Sequence, residues 1–504
     1  MKAKMHNKKR NVITALISQV VTTACGVVIP HVMISAFGSV IYGLTTSIAQ
    51  FLSYITLLEG GITSVARAEL YGALTAQNDW EISKVYHAIK RFFAMVGVAF
   101  LAYTLIISLA YYDMAQVTNV GRTYVFFLVW IISAGTLAKY LGGLSNLTLI
   151  VADQKQYIMN AIVTVVTVAN AILVVILARS QCDVLVVKIG SSLVFVAQPI
   201  CYGIYVKRHY NLQTVGKNRS KLQQKWTGMA QHAAYFIHRN VDVVVLTLFA
   251  NLRYVAVYSV YRLVISSIRN ITASFSSGME AACGEMIAKK EQTLLQRLFF
   301  KYKHILSFMS IVLFGTTAML IVPFVRLYTQ GVTDADYIQP VFAMVLLFAE
   351  AIDCFMQPCW SLPVSANKIK QTRWGSYGEA IINVTLSLIL VWWNPLVGIA
   401  LATLIATVFK AAFYMVYAGK KILCIRLWQL LKNCMLTIGM IGLCALAGVF
   451  VVGRVPMESY VMWILWGVGT VGAVSVITAA VYYVVYPTEF KEMLISILHQ
   501  FKHR

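Results

Sequence analysis

The chain has 504 residues, of which 59% are hydrophobic and only 12% are charged. A soluble domain carries roughly 25% charged residues, so this composition excludes most soluble enzymes, disordered chains and nucleic-acid-binding modules. Apolar stretches of about 18 or more residues recur along nearly the whole chain, and each is long enough to cross a hydrocarbon layer of roughly 30 Å. The composition therefore predicts a polytopic membrane protein.

Fourteen apolar segments are predicted to be membrane-spanning helices. They are too long for the roughly ten-residue strands of a membrane barrel, and they do not alternate in polarity. The first segment follows a basic start, but it is too long for a signal peptide and no small-residue cleavage site follows it, so we expect it to remain as a span. The predicted spans are 12–35, 39–58, 92–112, 122–150, 157–178, 184–206, 229–251, 254–278, 304–326, 338–362, 375–393, 396–418, 433–452 and 461–486.

The charges of the loops provide a test of this count. The 42 Lys and Arg residues exceed the 19 Asp and Glu residues by 23. With the N-terminus inside, the whole excess lies in one set of loops, and the opposite loops hold as many acids as bases. An excess of Lys and Arg is typical of cytoplasmic loops, so we predict that both termini are cytoplasmic.

Two long connections on the basic side, 68–90 and 285–303, mix apolar and charged residues at helical spacing. This pattern favours amphipathic helices that lie along the membrane surface, where Lys and Arg meet anionic lipid. Simple solvated linkers are the alternative. The outer connections are about a dozen residues or fewer, too short for an outward catalytic domain.

Common catalytic and metal-binding motifs are missing from the sequence. The nine cysteines show no CxxC spacing and lie mostly inside apolar runs, which indicates small hydrophobic side chains rather than disulfides or metal ligands. The chain contains no Walker P-loop and no HExxH sequence, so neither ATP hydrolysis nor zinc chemistry is indicated. We therefore expect a protein without cofactor, without a metal site and without enzymatic activity.

The sequence contains a weak internal repeat. At an offset of 216 residues, matching residues fall at equivalent points of the span pattern: Tyr42 and Tyr258, Glu69 and Glu285, Phe92 and Phe308. Farther on, the inner turn 151–155 (VADQK) resembles 364–368 (VSANK). An even number of spans separates the copies, so both have the same orientation in the membrane.

This repeat predicts the domain organisation. We expect an N-terminal six-helix lobe at 1–210, a C-terminal six-helix lobe at 226–420, and two extra helices with a cytoplasmic tail at 421–504. Two like-oriented six-helix lobes with two trailing helices are typical of an alternating-access transporter.

Ionisable residues at bilayer depth cost at least about 2.5–3.5 kcal/mol each on insertion scales, and normally face a wet cavity or a partner. The richest groups lie in spans seven and eight: His238, Arg239, Asn240, Asp242, Arg262 and Arg269. One interpretation is a buried ion pair between Asp242 and Arg239 or Arg262. The other is that an arginine is left over to bind an anionic substrate, which is favoured by three cationic side chains against one carboxylate.

Span ten contributes two acidic side chains, Glu350 and Asp353, three residues apart near mid-depth. Three interpretations stay open for this pair. The two carboxylates could bind a coupling proton or sodium ion, pair with Arg269, or face water.

Further charged residues lie in other spans. Lys139 in span four and Lys410 in span twelve are in the inner halves of their spans, where they either line the substrate cavity or snorkel to the cytoplasm. Lys188 and Glu379 lie close to predicted span ends and are interpreted as snorkelling side chains.

Two segments resemble a known family. Residues 37–70 (FGSVIYGLTTSIAQFLSYITLLEGGITSVARAEL) combine a Gly…Tyr-Gly turn with a span that ends near Glu-x-Gly. Residues 240–261 (NVDVVVLTLFANLRYVAVYSVY) contain Asn-x-Asp followed by Val-Ala-x-Tyr-Ser. Both blocks resemble those of the polysaccharide (O-antigen type) flippases of the multidrug/oligosaccharidyl-lipid/polysaccharide (MOP) exporter superfamily. The resemblance runs through about the first 420 residues in span order.

This resemblance implies a flippase that moves a polyprenyl-diphosphate-linked oligosaccharide across the bacterial inner membrane for surface polysaccharide synthesis. Its partners would be the lipid-linked sugar, membrane lipids, a polysaccharide polymerase and glycosyltransferases. The diphosphate site would use Arg239, Arg262, Arg269, Lys139, Lys410 and Asn240, and Asp242, Glu350 and Asp353 would serve coupling or structural ion pairs.

Three alternatives are weighed against this function. A drug or small-molecule cation antiporter of the same fold would prefer carboxylates in its cavity. A lipid II-type flippase is expected to carry charged residues in the body of span one. This sequence has none there, which disfavours that alternative. A membrane glycosyltransferase or polymerase would need a large outer loop.

Overall fold

The computed structural model describes residues 2–59, 62–213, 226–276, 279–450 and 457–492. Within these ranges the chain is almost entirely helical and no strand is assigned. This confirms the predicted class, an all-α membrane protein.

Most of the helices match the predicted spans closely. In chain order they are α1 (Lys2–Ser53), α2 (Ile62–Thr75), α3 (Asp79–Met114), α4 (Arg122–Ala138), α5 (Leu144–Ala152), α6 (Gln156–Arg179), α7 (Val184–His209), α8 (Trp226–Phe249), α9 (Leu252–Ser276), α10 (Met279–Ala288), α11 (Gln292–Tyr328), α12 (Pro340–Phe355), α13 (Gln357–Ser365), α14 (Ile369–Leu390), α15 (Pro395–Tyr417), α16 (Leu427–Phe450) and α17 (Tyr460–Val485). A 3-10 turn covers Tyr54–Glu59, and π-helical turns cover Lys139–Gly143 and Ala418–Leu423.

Every predicted span coincides with one of these helices, with a pair of them, or with part of α1. Ten helical segments of the described chain are long and apolar enough to cross a membrane. Helices α8, α9 and α14 are not among these ten. They carry the charged residues Arg239, Arg262 and Glu379, which lower the mean hydropathy of these three helices.

The first two predicted spans form a single assigned helix, α1, that is interrupted at Gly38. Gly38 has a φ of 80°, which glycine adopts without the steric cost that a Cβ atom would add. The outer turn predicted between 35 and 39 is therefore reduced to one glycine.

The amphipathic connections differ from the prediction in one respect. Span three begins at Asp79 rather than residue 92, so α3 has 36 residues and extends beyond the roughly 30 Å hydrocarbon layer. Of the first connection only α2 is a separate helix, and its side chains Ile62, Ala66 and Leu70 are buried where α2 packs against α3 and α5. These three side chains of α2 are thus covered by protein, and the placement of the connection along the membrane surface stays a prediction.

Contacts divide the chain into two units. The first comprises Met1–Phe236 and Leu246–Ala256, and the second comprises Ile237–Val245 and Val257–Arg504. The predicted lobe boundary at 210–226 lies mostly outside the described residues. Helices α16 and α17 pack against α11, so the two trailing helices belong to the second unit.

Backbone conformation supports the internal repeat. Residues with positive φ recur 213 positions apart: Gln77 (51°) with Lys290 (59°), and Gln154 (57°) with Asn367 (53°). The helix of span four is interrupted at Lys139–Gly143, and the helix of span ten is interrupted at Met356 between α12 and α13. The two units therefore share turn conformations as well as residues.

Gly398, in the first turn of α15, lies close to the backbone at the end of α14. A Cβ atom at Gly398 would lie 2.2 Å from the carbonyl oxygen of Leu390. Gly398 also donates its backbone N–H to Asn394 O at 2.8 Å, so the backbone has little room to move away.

We predict that Gly398→Ala lowers the apparent Tm of the purified protein by several degrees, because the added methyl group collides with backbone. Gly439→Ala is the matched control, since nothing lies within 4 Å of that Cβ position and alanine is the better helix former by about 1 kcal/mol. Thermal unfolding of both variants in the same detergent is the measurement. Equal Tm values for the two variants would contradict the packing analysis.

Candidate functional site

The centre of the candidate site is Arg239 on α8. Its Nη1 lies 2.7 Å and 2.8 Å from the two carboxylate oxygens of Glu350, and its Nη2 lies 2.5 Å from Asp353 Oδ2. Glu350 and Asp353 are three residues apart on α12 and therefore share one helix face. The arginine side chain is 9% exposed, so this is a buried, charge-assisted contact of a cation with two carboxylates.

A second set of contacts extends the network to α14 and α15. Lys410 Nζ lies 3.2 Å from Asp353 Oδ1 and 3.2 Å from Glu379 Oε1. His238 Nε2 lies 3.2 Å from the same Glu379 oxygen. Asp353 therefore links Arg239 to Lys410, and Glu379 links Lys410 to His238.

The interpretation of Glu379 as a snorkelling side chain was wrong. Helix α14 begins at Ile369 rather than at residue 375, so Glu379 lies almost three turns inside the helix, where it is buried. Snorkelling is likewise excluded for Lys410, which is buried between two carboxylates.

The predicted excess of cations over carboxylates was also wrong. In the charged network around Arg239, four cations and four carboxylates interact: Arg239, Arg262, Arg269 and Lys410 with Asp242, Glu350, Asp353 and Glu379. The prediction counted only the charged residues of spans seven and eight, which are neighbours in the sequence. Three of the carboxylates come from α12 and α14, which only the tertiary structure brings to the arginines.

Arg262 and Arg269 are held less tightly than Arg239. Their side chains are 21% and 23% exposed, and their nitrogens lie 3.6 Å and 3.8 Å from Glu350 oxygens, beyond hydrogen-bond distance. Arg262 also donates to Tyr258 Oη at 3.0 Å and to Arg239 O at 3.2 Å. Arg269 Nε has no hydrogen-bond partner among the described residues, so this partly exposed guanidinium has at least one unsatisfied donor.

Asp242 lies apart from these close ion pairs. Its Oδ2 accepts a hydrogen bond from Tyr258 Oη at 2.6 Å and a long one from Thr403 Oγ1 at 3.5 Å. Thr403 Oγ1 in turn accepts from Asn383 Nδ2 at 3.0 Å. Asp242 Oδ1 has no hydrogen-bond partner in the described chain, and the structure pairs Arg239 with Glu350 and Asp353. Asn240, the other predicted polar residue of α8, is half-buried.

Lys139 belongs to the first unit. It lies in the π-helical turn of span four, is exposed, and interacts electrostatically with Glu59. The adjacent Tyr140 donates its hydroxyl to Glu59 Oε1 at 2.5 Å. Lys139 and Lys410 thus each have a carboxylate within their own unit, and a shared substrate cavity stays a prediction.

Sequence reasoning missed one buried cation, Lys303. Its side chain is 0% exposed, and its Nζ donates to the carbonyl oxygen of Phe355 at 2.9 Å and lies 4.7 Å from the Phe355 ring centre. The helix break at Met356 frees that carbonyl, because Cys359 N bonds to Met356 O instead. Lys303 therefore stabilises the break that directly follows Glu350 and Asp353. The residue was assigned to a surface connection because α11 begins earlier than predicted, at Gln292.

Comparisons of the whole structure identify its fold. The "Lipid II flippase MurJ, inward closed conformation" matches with a TM-score of 0.70 at 13% identity, covering 94% of this chain and 98% of that one. The MATE multidrug transporter DinF-BH matches with a TM-score of 0.56 at 18% identity, covering 82% and 95%. The eukaryotic MATE transporter AtDTX14 matches with a TM-score of 0.55 at 13% identity, covering 87% and 99%.

No family model matches the chain, and no curated protein matches it in sequence. At these identities the structural likeness defines the fold. The chain is an all-α, multi-pass membrane protein with the MATE/MOP-like fold.

The network around Arg239 predicts a measurable stability effect. Arg239→Met removes the closest partner of Glu350 and one of the two cations beside Asp353, and removing one partner of a buried ion pair costs about 3–5 kcal/mol. We therefore expect Arg239→Met to lower the apparent Tm strongly, and Arg239→Met/Glu350→Gln to recover part of the loss. Arg326→Met, at an exposed arginine of α11, is the control, and a Tm for Arg239→Met equal to that of the control would contradict the buried network.

Proposed function

We propose that the chain is a transporter that moves a polyprenyl-diphosphate-linked oligosaccharide across the bacterial inner membrane by alternating access. The fold supports transport, since the solved structures that share it include a lipid II flippase and a multidrug transporter. Oriented by the positive-inside rule, the protein has both termini in the cytoplasm. A polymerase and glycosyltransferases are the partners that would use and supply such a substrate.

The observation that carries the proposal is the exposure pattern of the charged network. Arg262 and Arg269 are its most exposed members, whereas Arg239 and Lys410 are saturated by carboxylates. Although the network contains as many carboxylates as cations, its most exposed side chains, Arg262 and Arg269, are cationic. An anionic substrate group is favoured there over a cationic drug.

The network therefore divides into two parts. Arg239, Lys410, Glu350 and Asp353 form the structural part, which fixes α8, α12 and α15 to one another. Arg262 and Arg269 form the substrate part. They lie seven residues apart on α9, roughly 10 Å along the helix axis, and arginine side chains from two such positions can converge on one diphosphate.

Diphosphate recognition fits the chemistry of these side chains. A diphosphate cannot cross hydrocarbon unaided, and arginine offers planar, bidentate donors that match phosphate oxygens. The contacts of both guanidiniums with Glu350 are longer than hydrogen bonds. A phosphate that replaces those contacts gains charge-assisted hydrogen bonds without breaking the closer Arg239–Glu350 pair.

Two alternatives are separated by simple assays. A multidrug antiporter of this fold would confer drug resistance on a susceptible host, and the diphosphate carrier would not. A lipid II-type flippase would move lipid II in vesicles, and the likeness to the lipid II flippase MurJ makes lipid II the first competitor substrate to test.

We infer that Asp242 is the group through which transport is coupled to a cation. It is a buried carboxylate whose Oδ1 has no partner among the described residues, and a buried carboxylate tends to bind a proton or a cation rather than remain an isolated anion. Glu350 and Asp353, the other acidic candidates, are occupied by Arg239 and Lys410.

We predict that Arg262→Ala and Arg269→Ala each slow translocation of a lipid-linked oligosaccharide several-fold, and that the double variant slows it at least about tenfold, since hydrogen bonds to charged groups are worth about 1.5–3 kcal/mol. The measurement is the appearance of a labelled lipid-linked sugar in the outer leaflet of reconstituted vesicles.

Arg326→Ala, the exposed arginine of α11, is the matched control and should retain the wild-type rate. Arg269→Lys tests the geometry of the contact, because it keeps the charge and loses the bidentate donors. A folded double variant that flips at the wild-type rate would refute the substrate assignment.

For coupling, we predict that Asp242→Asn removes the response of transport to an imposed proton or sodium gradient and preserves folding. The asparagine can still accept the hydrogen bond from Tyr258 but carries no charge. Asp79→Asn, at an exposed acid on α3, is the control. The coupling role fails if transport by Asp242→Asn rises with either gradient as much as transport by the wild type.

A further inference from the structure

The outer face of α15 carries a continuous apolar groove that ends in two lysines. The groove has a volume of about 450 Å³ and is lined by Phe409, Ala412, Phe413, Val416, Tyr417, Lys420 and Lys421. These residues follow one another at helical spacing of three and four, so they form a single stripe along the helix. All of them belong to the second unit.

The shape of the groove follows from two glycines on the neighbouring helix. A Cβ at Gly375 would lie 2.6 Å from the ring of Phe413, and a Cβ at Gly378 would lie 2.4 Å from the ring of Phe409. Because both rings lie down over α14 instead of projecting outward, the surface beside them is concave at Ala412, which is exposed.

The position of the two lysines follows from the π-helical turn at Ala418–Leu423. A continued α-helix would place Lys421 about 120° around the axis from Phe409. A π-helical turn advances by roughly 80° per residue instead of roughly 100°. From the start of this turn to Lys421, the difference in rotation adds up to roughly 70°. The turn thus rotates Lys421 back to the apolar stripe, beside Lys420.

Neighbouring residues mark this end of α15 as a membrane–water boundary with positive charge. Trp374 is largely exposed on α14, as aromatic residues at membrane interfaces are, and the guanidinium of Arg373 lies 5.6 Å from its ring centre. Lys368 Nζ approaches the carbonyl oxygen of Lys421 at 3.5 Å. Lys368 therefore lies beside the two lysines at the polar end of the groove, and Arg373 adds positive charge on the neighbouring helix.

We propose that this groove binds one anionic glycerophospholipid of the cytoplasmic leaflet. The lipid phosphate lies between Lys420 and Lys421, and an acyl chain follows the stripe past Val416 to Phe409. Charge complementarity favours this occupant over a zwitterionic lipid, because the basic end of the groove attracts a net negative headgroup. The apolar wall favours a membrane lipid over a free phosphate.

The first unit offers a matched control. Lys207 and Arg208 lie 213 positions before Lys420 and Lys421, the same offset that relates the turn residues of the two units, and both are exposed at the end of α7. The positions that correspond to Phe409 and Phe413 are Val196 and Ile200. The first unit therefore repeats the basic pair without the aromatic residues of the groove.

The test is native mass spectrometry of the full chain released from nanodiscs that contain phosphatidylcholine with a minority of phosphatidylglycerol. Wild-type protein should retain phosphatidylglycerol preferentially. Lys420→Gln/Lys421→Gln should reduce this retention about tenfold, because each basic residue near an anionic headgroup contributes substantially. Ala412→Trp, which fills the groove and keeps both charges, should reduce it as well.

Lys207→Gln/Arg208→Gln should retain phosphatidylglycerol as the wild type does. Equal losses in this control and in Lys420→Gln/Lys421→Gln would show only general charge attraction and would overturn the proposal. If Ala412→Trp retains phosphatidylglycerol as the wild type does, the acyl chain does not bind in the groove, and the proposal is overturned too. The elution profile of each variant verifies folding, and none of the changed residues belongs to the proposed substrate or coupling site.

Discussion

The shared carboxylate of Glu350 is the contact on which the charged interior of the second unit depends. A charge in a medium of low dielectric constant is stable only beside a partner, and Glu350 lies within 4 Å of three arginines. One carboxylate cannot satisfy three guanidiniums equally. It pairs closely with Arg239, and Arg262 and Arg269 are left with longer contacts and partial exposure, which separates structural cations from cations available to a ligand.

The break in span ten follows from the same constraint. Glu350 and Asp353 can both face Arg239 because they lie three residues apart on one face of α12, and Asp353 is in the last turn, directly before the chain departs from regular helix at Met356. Such a break leaves a carbonyl without its helical partner, which is costly in a membrane. Lys303 compensates for it from α11, and the neighbouring Ser307 and Asn433 form a buried hydrogen bond that ties α16 to the same helix. The trailing helices are thereby connected to the region of the site.

The two units use one architecture for different chemistry. Positive-φ turn residues recur at the same spacing in both, and spans four and ten are interrupted at corresponding places. In the first unit the interruption holds Lys139 and Tyr140 near Glu59. In the second unit it follows the two carboxylates that neutralise Arg239. Duplication of a helical scaffold thus conserves backbone geometry while the side chains at equivalent positions diverge.

The sequence by itself determined the all-α membrane class, the approximate positions of the long apolar helices and the residues of α8 and α9 that carry charge, because hydrophobic length and the expense of burying charge are properties of local sequence. It also indicated the repeat. Only the tertiary structure decided which charges meet. Glu379 was assigned to a span end and Lys303 to a surface connection, since a shift of a helix start by several residues moves a side chain from the boundary into the interior. The balance of cations and carboxylates was likewise hidden, because the partners of Arg239 are more than 100 residues away in the chain and no periodicity reports that contact.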